Sequence, residues 1–241
     1  STVSIDSDNA ETSATTETAT NGDTVTISIT ANENIAQPTC TFTISGAAAA
    51  DNSVTYTNAG DGNAATWTCA IDIADADANA IVAYSIAFAD SAAANAGVAV
   101  TAPTDGSSVT VDDTVPTLSS VSIDSDNAET AATAETATNG DTVTLTFVVS
   151  ETASAGTGTP ACAFTLNSVA ATNADSVANP SGNTWTCTFD LANADANAAV
   201  AFTISFDDAA GNAGVAVTAA SDGTSVTLDD TVPTLSSVSI D

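Results

Sequence analysis

Short stretches of alternating apolar and polar residues run through the chain and predict β-strands. In the second half these stretches are SSVSID, DTVTLTFVV, CAFTLNS, TWTCTFDL, AVAFTISF, GVAVTAA and TSVTLD, which are short and, taken together, rich in Thr, Val and Ile. A two-residue period fits strands with one buried and one solvated face. Turn-forming sequences separate them at Asn139-Gly140, Gly156 to Gly158, Asn179-Pro180, Gly211 and Asp222-Gly223. Seven short strands in about 117 residues predict an all-β Greek-key sandwich.

The chain is a tandem repeat. Ser1–Thr26 matches Ser119–Thr144 at 23 of 26 positions, and DDTVPTLSSVSID occurs at both Asp112–Asp124 and Asp229–Asp241. The sequence therefore predicts one domain over residues 1–115 and a second over 116–232. Residues 233–241 are predicted to be the first strand of a further repeat or a strand given to a neighbouring subunit. The first repeat has its own first strand, which favours a longer array.

Each repeat contains one pair of cysteines on two predicted strands. The pairs are Cys40 with Cys69 and Cys162 with Cys187. Pairing within each repeat is the simplest interpretation, although four cysteines allow three connectivities and buried free thiols are an alternative. A zinc site would need CxxC pairs or histidines, and the sequence has neither. Disulfides indicate an oxidising, extracytoplasmic setting.

The composition excludes several classes of protein. There is no Lys, Arg or His, and the formal net charge is −30. Nucleic-acid binding and attachment to anionic membranes both need basic residues. No apolar run reaches the roughly 18 residues that a membrane helix needs. A nucleophilic Ser, Thr or Cys would have only carboxylates as a base, so we expect no enzyme activity. Small cations are the expected partners of the acidic surface.

Three motifs resemble those of bacterial and archaeal immunoglobulin-like repeats. FDDAAGNAG at Phe206–Gly214 resembles their D-x-A-G-N turn, and GDTVTLTFVVSE at Gly140–Glu151 resembles their second strand. LDDTVPTLSSVSI at Leu228–Ile240 resembles their D-x-T-x-P linker. The resemblance implies tandem immunoglobulin-like sandwiches in large cell-surface proteins of the adhesin-stalk, surface-layer or extracellular-fibre type. It implies no particular ligand.

Aspartates concentrate in the predicted loops and suggest Ca²⁺, which binds six to eight oxygens. Three groups are expected to converge where one repeat meets the next: the end of the last strand, an Asp-rich loop, and acids of the following repeat. The candidate ligands there are Asp75, Asp77, Asp112, Asp113, Glu151, Asp195, Asp207, Asp208, Asn212, Asp229 and Asp230, and a second cluster after the first strand comprises Asp6, Asp8, Asp124 and Asp126. The hypothesis is that Ca²⁺ stiffens the junction. A merely solvated acidic coat is the alternative.

The sequence favours a structural role for this extracellular, cell-surface protein. Near-identical repeats are typical of a stalk, fibre or surface lattice, and self-association with identical chains or flanking repeats is expected. The alternative is an adhesive module for glycan or protein ligands. Trp67 and Trp185 stand two residues before a cysteine, so we expect them to pack against the disulfide rather than to bind sugar at the surface.

Overall fold

The structure, a computed structural model, describes residues 1–9, 15–58, 63–127, 133–151, 159–173 and 176–239, and the elements within them are all β-strands. The chain forms two compact units, Ser1–Thr114 with Ala209–Asn212, and Val115–Asp208 with Ala213–Asp241. In the described ranges no helix could cross a membrane. The predicted turn at Gly156 to Gly158 falls outside these ranges.

The first unit is a sandwich of two sheets. Its strands are β1 (Thr2–Ser7), β2 (Thr16–Ala19), β3 (Thr24–Ala36), β4 (Thr39–Ile44), β5 (Ala47–Ala48), β6 (Thr55–Asn58), β7 (Asn63–Asp72), β8 (Val82–Ala87) and β9 (Ser108–Val111). One sheet has the order β1-β3-β7-β6 and the other β5-β4-β8, while β2 pairs in parallel with β9. The order β1-β3-β7-β6 is the A-B-E-D order of an immunoglobulin domain.

The second unit repeats this architecture. Its strands are β10 (Leu118–Ser125), β11 (Ala134–Ala137), β12 (Thr142–Val149), β13 (Ala161–Leu166), β14 (Val169–Ala170), β15 (Ser176–Ser181), β16 (Thr184–Asp190), β17 (Val200–Ser205) and β18 (Ser225–Leu228). The sheets run β10-β12-β16-β15 and β14-β13-β17, and β11 pairs in parallel with β18. The predicted fold class, all-β immunoglobulin-like sandwiches in tandem, is confirmed.

Each repeat contains one disulfide, as predicted, and it joins the two sheets of the sandwich. The bonds are Cys40–Cys69, between β4 and β7, and Cys162–Cys187, between β13 and β16. Trp67 and Trp185 are 4% and 5% exposed and belong to the same buried clusters as Cys69 and Cys187. The tryptophans are therefore core residues rather than surface sugar-binding residues.

Some predicted elements differ from the structure. The stretch GVAVTAA is not a strand: Val217 forms only an isolated bridge with Ile204, and Val215 is exposed. Asn179-Pro180 lies inside β15, and the following turn is at Gly182, where φ is +55°. Among the described residues 233–239 there is no strand. A strand needs a partner edge, so the strand expected over 233–241 stays a prediction.

Replacing Tyr84 with Phe is expected to stabilise the first unit by about 1 kcal/mol, because a buried hydroxyl without a partner is costly. Tyr84 on β8 is 6% exposed, and its hydroxyl bonds to no described residue. Burial first, and then the charge of Asp105, raises the pKa of Tyr84 to about 12. The equivalent position on β17 is Phe202, so Phe202→Tyr should destabilise the second unit. Chemical denaturation of both variants checks this. Destabilisation by Tyr84→Phe would contradict it.

Candidate metal centre

The acidic loop after β7 is held together by one of its predicted calcium ligands. Asp77 accepts the Ala50 N–H on Oδ1 at 2.7 Å and the Ala74 N–H on Oδ2 at 3.0 Å. The equivalent Asp195 accepts two backbone N–H groups of the second unit in the same way, at 2.9 Å each. Both oxygens of these carboxylates are therefore engaged as hydrogen-bond acceptors within the loop.

Asp113 is the predicted ligand of the first unit on which the charges of other predicted ligands act. Asp113 Oδ1 accepts the Asn21 N–H at 2.6 Å, whereas Oδ2 is buried and bonds to no described residue. Burial raises the pKa of Asp113, and the charges of Asp75, Asp112 and Asp77 raise it further, against the lowering by the Asn21 bond. The charges of three further predicted ligands of the same unit thus act on Asp113, whose buried Oδ2 bonds to no described residue.

The second unit keeps the hydrogen bonds of this group but has one carboxylate fewer. Asp230 Oδ1 accepts the Asn139 N–H at 2.7 Å, and Asp229 Oδ1 accepts the Thr231 N–H at 2.9 Å. Asn193 stands where the first repeat has Asp75. The second unit is therefore the poorer candidate for a cation.

The acids that follow the first strand of each repeat are also hydrogen-bond acceptors. Asp8 Oδ1 accepts the Thr24 N–H at 2.7 Å, and Asp126 Oδ1 accepts the Thr142 N–H at 2.8 Å. Asp6 and Asp124 are the exposed carboxylates of these strands. Each lies beside a glutamate that sequence reasoning did not single out.

These glutamates are Glu17 on β2 and Glu135 on β11. Glu17 is 8% exposed, and its Oε2 accepts the Ser7 N–H at 2.5 Å. Burial raises the pKa of Glu17, against the lowering by that bond, and the neighbouring Asp6 raises it further. The pKa of Glu135 is raised in the same way, by burial first, with Asp124 in the place of Asp6. Each repeat thus holds one glutamate with a raised pKa beside an exposed aspartate.

The acids expected from the following repeat are only partly brought together. A carboxylate oxygen of Glu151 lies within 4.8 Å of one of Asp208, which is 2% exposed. Asp207 is exposed. Asn212, which belongs to the first unit, donates its Nδ2–H to the backbone carbonyl of Asp112 at 2.8 Å. The convergence of all three groups on one calcium site stays a prediction.

Asp23 and Asp141, two further acceptors, were missed by sequence reasoning. Asp23 Oδ2 accepts from the Thr20 N–H at 2.6 Å, the Thr20 hydroxyl at 3.0 Å and Asn9 Nδ2 at 2.9 Å. Asp141 accepts the equivalent three bonds at 2.7, 3.0 and 3.0 Å. The recurring sequence T-N-G-D was the available signal, since an Asp closing a four-residue turn can bond back to its first residue.

Stability is expected to rise as the pH falls from neutral toward the ordinary Glu value of 4.5, and to decrease below the ordinary Asp value of 3.8. The carboxyl groups with lowered pKa are Asp90, Asp105, Asp195, Asp222 and Asp229. A backbone N–H is the main cause for four of them; for Asp195, burial opposes the lowering and bonds from Thr172 and Ala192 outweigh it. Their contribution is present above the ordinary value of 3.8 and is lost as pH falls through the folded-state pKa.

The carboxyl groups whose pKa is raised have the opposite effect on stability. Glu17, Glu135 and Asp113 stabilise the fold fully below their ordinary pKa values and lose this contribution as the pH rises through the folded-state value. Protonation also relieves repulsion among the 30 acids. Melting temperature measured against pH at fixed ionic strength checks the profile. A continuous decrease from pH 7 downward would contradict it.

No protein-family model and no curated protein matches the sequence. Among solved structures, the chain is similar to Dpr2 Ig1-Ig2 in its complex with DIP-Theta Ig1-Ig3, at 12% identity and a TM-score of 0.28, over 95% of this chain and 100% of that one. It is similar to the mouse nectin-like molecule 4 ectodomain (Ig1-Ig3) at 12% identity and a TM-score of 0.32, over 97% of this chain and 66% of that one. The strand order makes both units immunoglobulin-like, although each disulfide joins the equivalents of strands C and E rather than B and F.

Proposed function

We propose that the chain is a load-bearing structural repeat segment of a secreted, highly acidic cell-surface protein that builds a fibre, stalk or surface lattice. The supporting observation is the parallel pairing of β2 with β9, and of β11 with β18, over four residue pairs each. These strands lie near the two ends of each repeat. Tension along the chain pulls two such strands in opposite directions, so it shears the whole ladder at once rather than opening it bond by bond.

Other features support the same role. An inter-sheet disulfide closes 29 residues in the first unit and 25 in the second, which limits how far an unfolded repeat can extend. The two repeats share their carboxylate hydrogen bonds, as expected of interchangeable building blocks. The adhesive alternative is less favoured because both tryptophans are buried, and binding hot spots are rich in exposed Trp, Tyr and Arg.

Force spectroscopy tests this proposal. The Ser108 N–H donates to the Thr15 carbonyl at 3.0 Å, so Ser108→Pro removes one bond from the β2–β9 ladder. We expect a lower unfolding force for the first unit. Ser225→Pro should do the same in the second unit, where the Ser225 N–H donates to Thr133 at 3.1 Å. Thr57→Pro on β6, outside the loaded ladder, is the control. Equal force loss in all three variants would contradict the proposal.

Calcium binding is part of the proposal, with the group around Asp113 as its strongest candidate. The support is the unbonded, buried Oδ2 of Asp113 and the three carboxylates that raise its pKa. The proposed role of the ion is to stiffen the connection between repeats. The remaining predicted ligands, including Glu151 and the acids after the first strands, stay predictions.

Melting temperature measured against Ca²⁺ at fixed ionic strength tests the calcium site. A ligand that binds only the folded state raises the melting temperature progressively above its dissociation constant. We expect this shift in the native chain and its loss in Asp113→Asn. Asp72→Asn, which removes the same charge elsewhere, should retain it. A shift no larger than that given by matched NaCl would contradict calcium binding, and scattering curves unchanged between Ca²⁺ and chelator would contradict stiffening.

A further inference from the structure

The two repeats fill the same part of their cores with different side chains. Ile71 on β7 and Phe189 on β16 are equivalent, because each lies two residues after the cysteine of its strand, and each is 2% exposed. In the second unit the Phe189 ring stacks on Phe164, with ring centroids 4.4 Å apart. Phe42 is the equivalent of Phe164 in the first unit, where an isoleucine takes the place of the second ring.

A cavity of about 190 Å³ lies beside this isoleucine in the first unit. Ile71 and Phe42 line it together with Cys40 and Val54, which gives it largely apolar walls. The exposed Asn52 also belongs to the lining. Apolar cavities of about 150 Å³ bind benzene or xenon, so this one is large enough for a single six-membered ring. All its lining residues lie between residues 41 and 71 or are Cys40, well inside the first repeat.

The first repeat carries an aromatic ring in this region at a different position. Tyr56 on β6 pairs with Cys69, and Val177 on β15 pairs with Cys187, so Tyr56 and Val177 are equivalent. The first repeat therefore has its second ring on the edge strand rather than on β7. The Tyr56 hydroxyl accepts the Cys40 N–H at 3.3 Å, which ties the ring to β4. Tyr56 is thus bonded at the edge of the sandwich and is not among the residues that line the cavity.

We propose that this cavity of the first unit binds a small molecule with one aromatic ring and no negative charge. Its ring takes the place that the Phe189 ring occupies in the second unit. It stacks on Phe42 as Phe189 stacks on Phe164, and aromatic pairs of this kind are stabilised beyond the burial of their area. A hydroxyl or amine substituent is best accommodated beside Asn52 and Thr41, the polar residues of the lining.

The charge preference of the site follows from the composition. The chain has no Lys, Arg or His to balance a bound carboxylate, and its net charge of −30 attracts cations and repels anions. Benzylammonium is therefore expected to bind more tightly than benzoate at low salt, with the difference shrinking as salt is added. The site goes beyond the structural role, because the strands of the β2–β9 ladder contribute no residue to its lining.

Titration of the oxidised chain with benzyl alcohol, followed by backbone NMR, tests the site. We expect saturable shifts at Phe42, Ala48 and Ile71, with a dissociation constant on the order of 1 mM. Ile71→Phe fills the cavity with a ring and should weaken binding by about tenfold or more. Ile81→Phe makes the same change at a residue that is 64% exposed and outside the lining, and it should leave binding nearly unchanged. Equal weakening by both variants, or no saturable shift in the native chain, would overturn the inference.

Phe189→Ile provides the reciprocal test, which also decides the matter if Ile71→Phe fails to fold. Removing this ring should open a cavity beside Phe164. Benzyl alcohol should then give saturable shifts at Phe164 and Ala170 that are absent from the native chain. A variant whose second unit binds no better than the native one would overturn the inference. Equal binding of benzoate and benzylammonium at low salt would overturn the stated class of ligand.

Discussion

Removing the disulfide of either unit is expected to lower the free energy of unfolding of that unit by about 3–4 kcal/mol. The bonds close chain segments of 29 and 25 residues, and the loss of closure entropy depends only on the logarithm of that length. Cys40→Ala with Cys69→Ala opens the first loop. Chemical denaturation of this variant against the native chain measures the loss, and the unchanged second unit serves as an internal reference.

The matched variant opens the second loop with Cys162→Ala and Cys187→Ala. Since 25 and 29 residues differ little on a logarithmic scale, we expect similar losses in the two units. A loss below about 1 kcal/mol in both variants would show that the chain-entropy effect does not govern their stability.

Replacing Asp23 or Asp141 with Ala is expected to destabilise the affected unit by about 2–4 kcal/mol. Each carboxylate accepts three hydrogen bonds. A hydrogen bond to a charged group contributes about 1.5–3 kcal/mol to stability. The substitution also relieves charge repulsion, which offsets part of this loss. Denaturation midpoints of the two single variants give the cost in each unit.

Glu33→Ala is the control for this pair. Glu33 is an exposed carboxylate on β3, so the substitution removes the same charge from the surface. It should change stability by no more than about 0.5 kcal/mol. A similar loss for Glu33→Ala and Asp23→Ala would mean that net charge, rather than acceptance of N–H groups, explains the role of the aspartates.

Much of the fold follows from the alternating pattern, but the parallel β2–β9 ladder does not. The sequence TETA over Thr16–Ala19 places a glutamate where it is buried in the structure, against its intrinsic preference. Its partner strand lies more than 90 residues away, so only the tertiary fold creates this pairing.

The strand predicted for GVAVTAA shows the opposite case. The sequence does alternate between apolar and polar residues there, but the structure forms no strand. A Cβ on Gly214 would lie 2.2 Å from the Phe206 ring, so local packing rather than regular pairing determines the backbone there.

The acidic positions could be found from the sequence, but their chemical role could not. A loop aspartate is suited both to bind Ca²⁺ and to accept backbone N–H groups, because both use its short side chain and carboxylate oxygens. Asp77 and Asp195 show the second use, with both oxygens engaged. Asp113 retains one unbonded oxygen among the described groups. Only the three-dimensional contacts separate these cases.

Amide hydrogen exchange tests most directly the claim that carboxylates hold the turns of this protein, which has no Lys, Arg or His. The informative N–H groups lie outside the strands and donate to aspartates: Thr20, Asn21 and Ala74 in the first unit, and Thr138, Asn139 and Ala192 in the second. At neutral pH we predict exchange as slow as that of strand amides, with faster exchange at Thr20 in Asp23→Ala. Exchange at the rates of an unstructured peptide in the native chain would contradict the account.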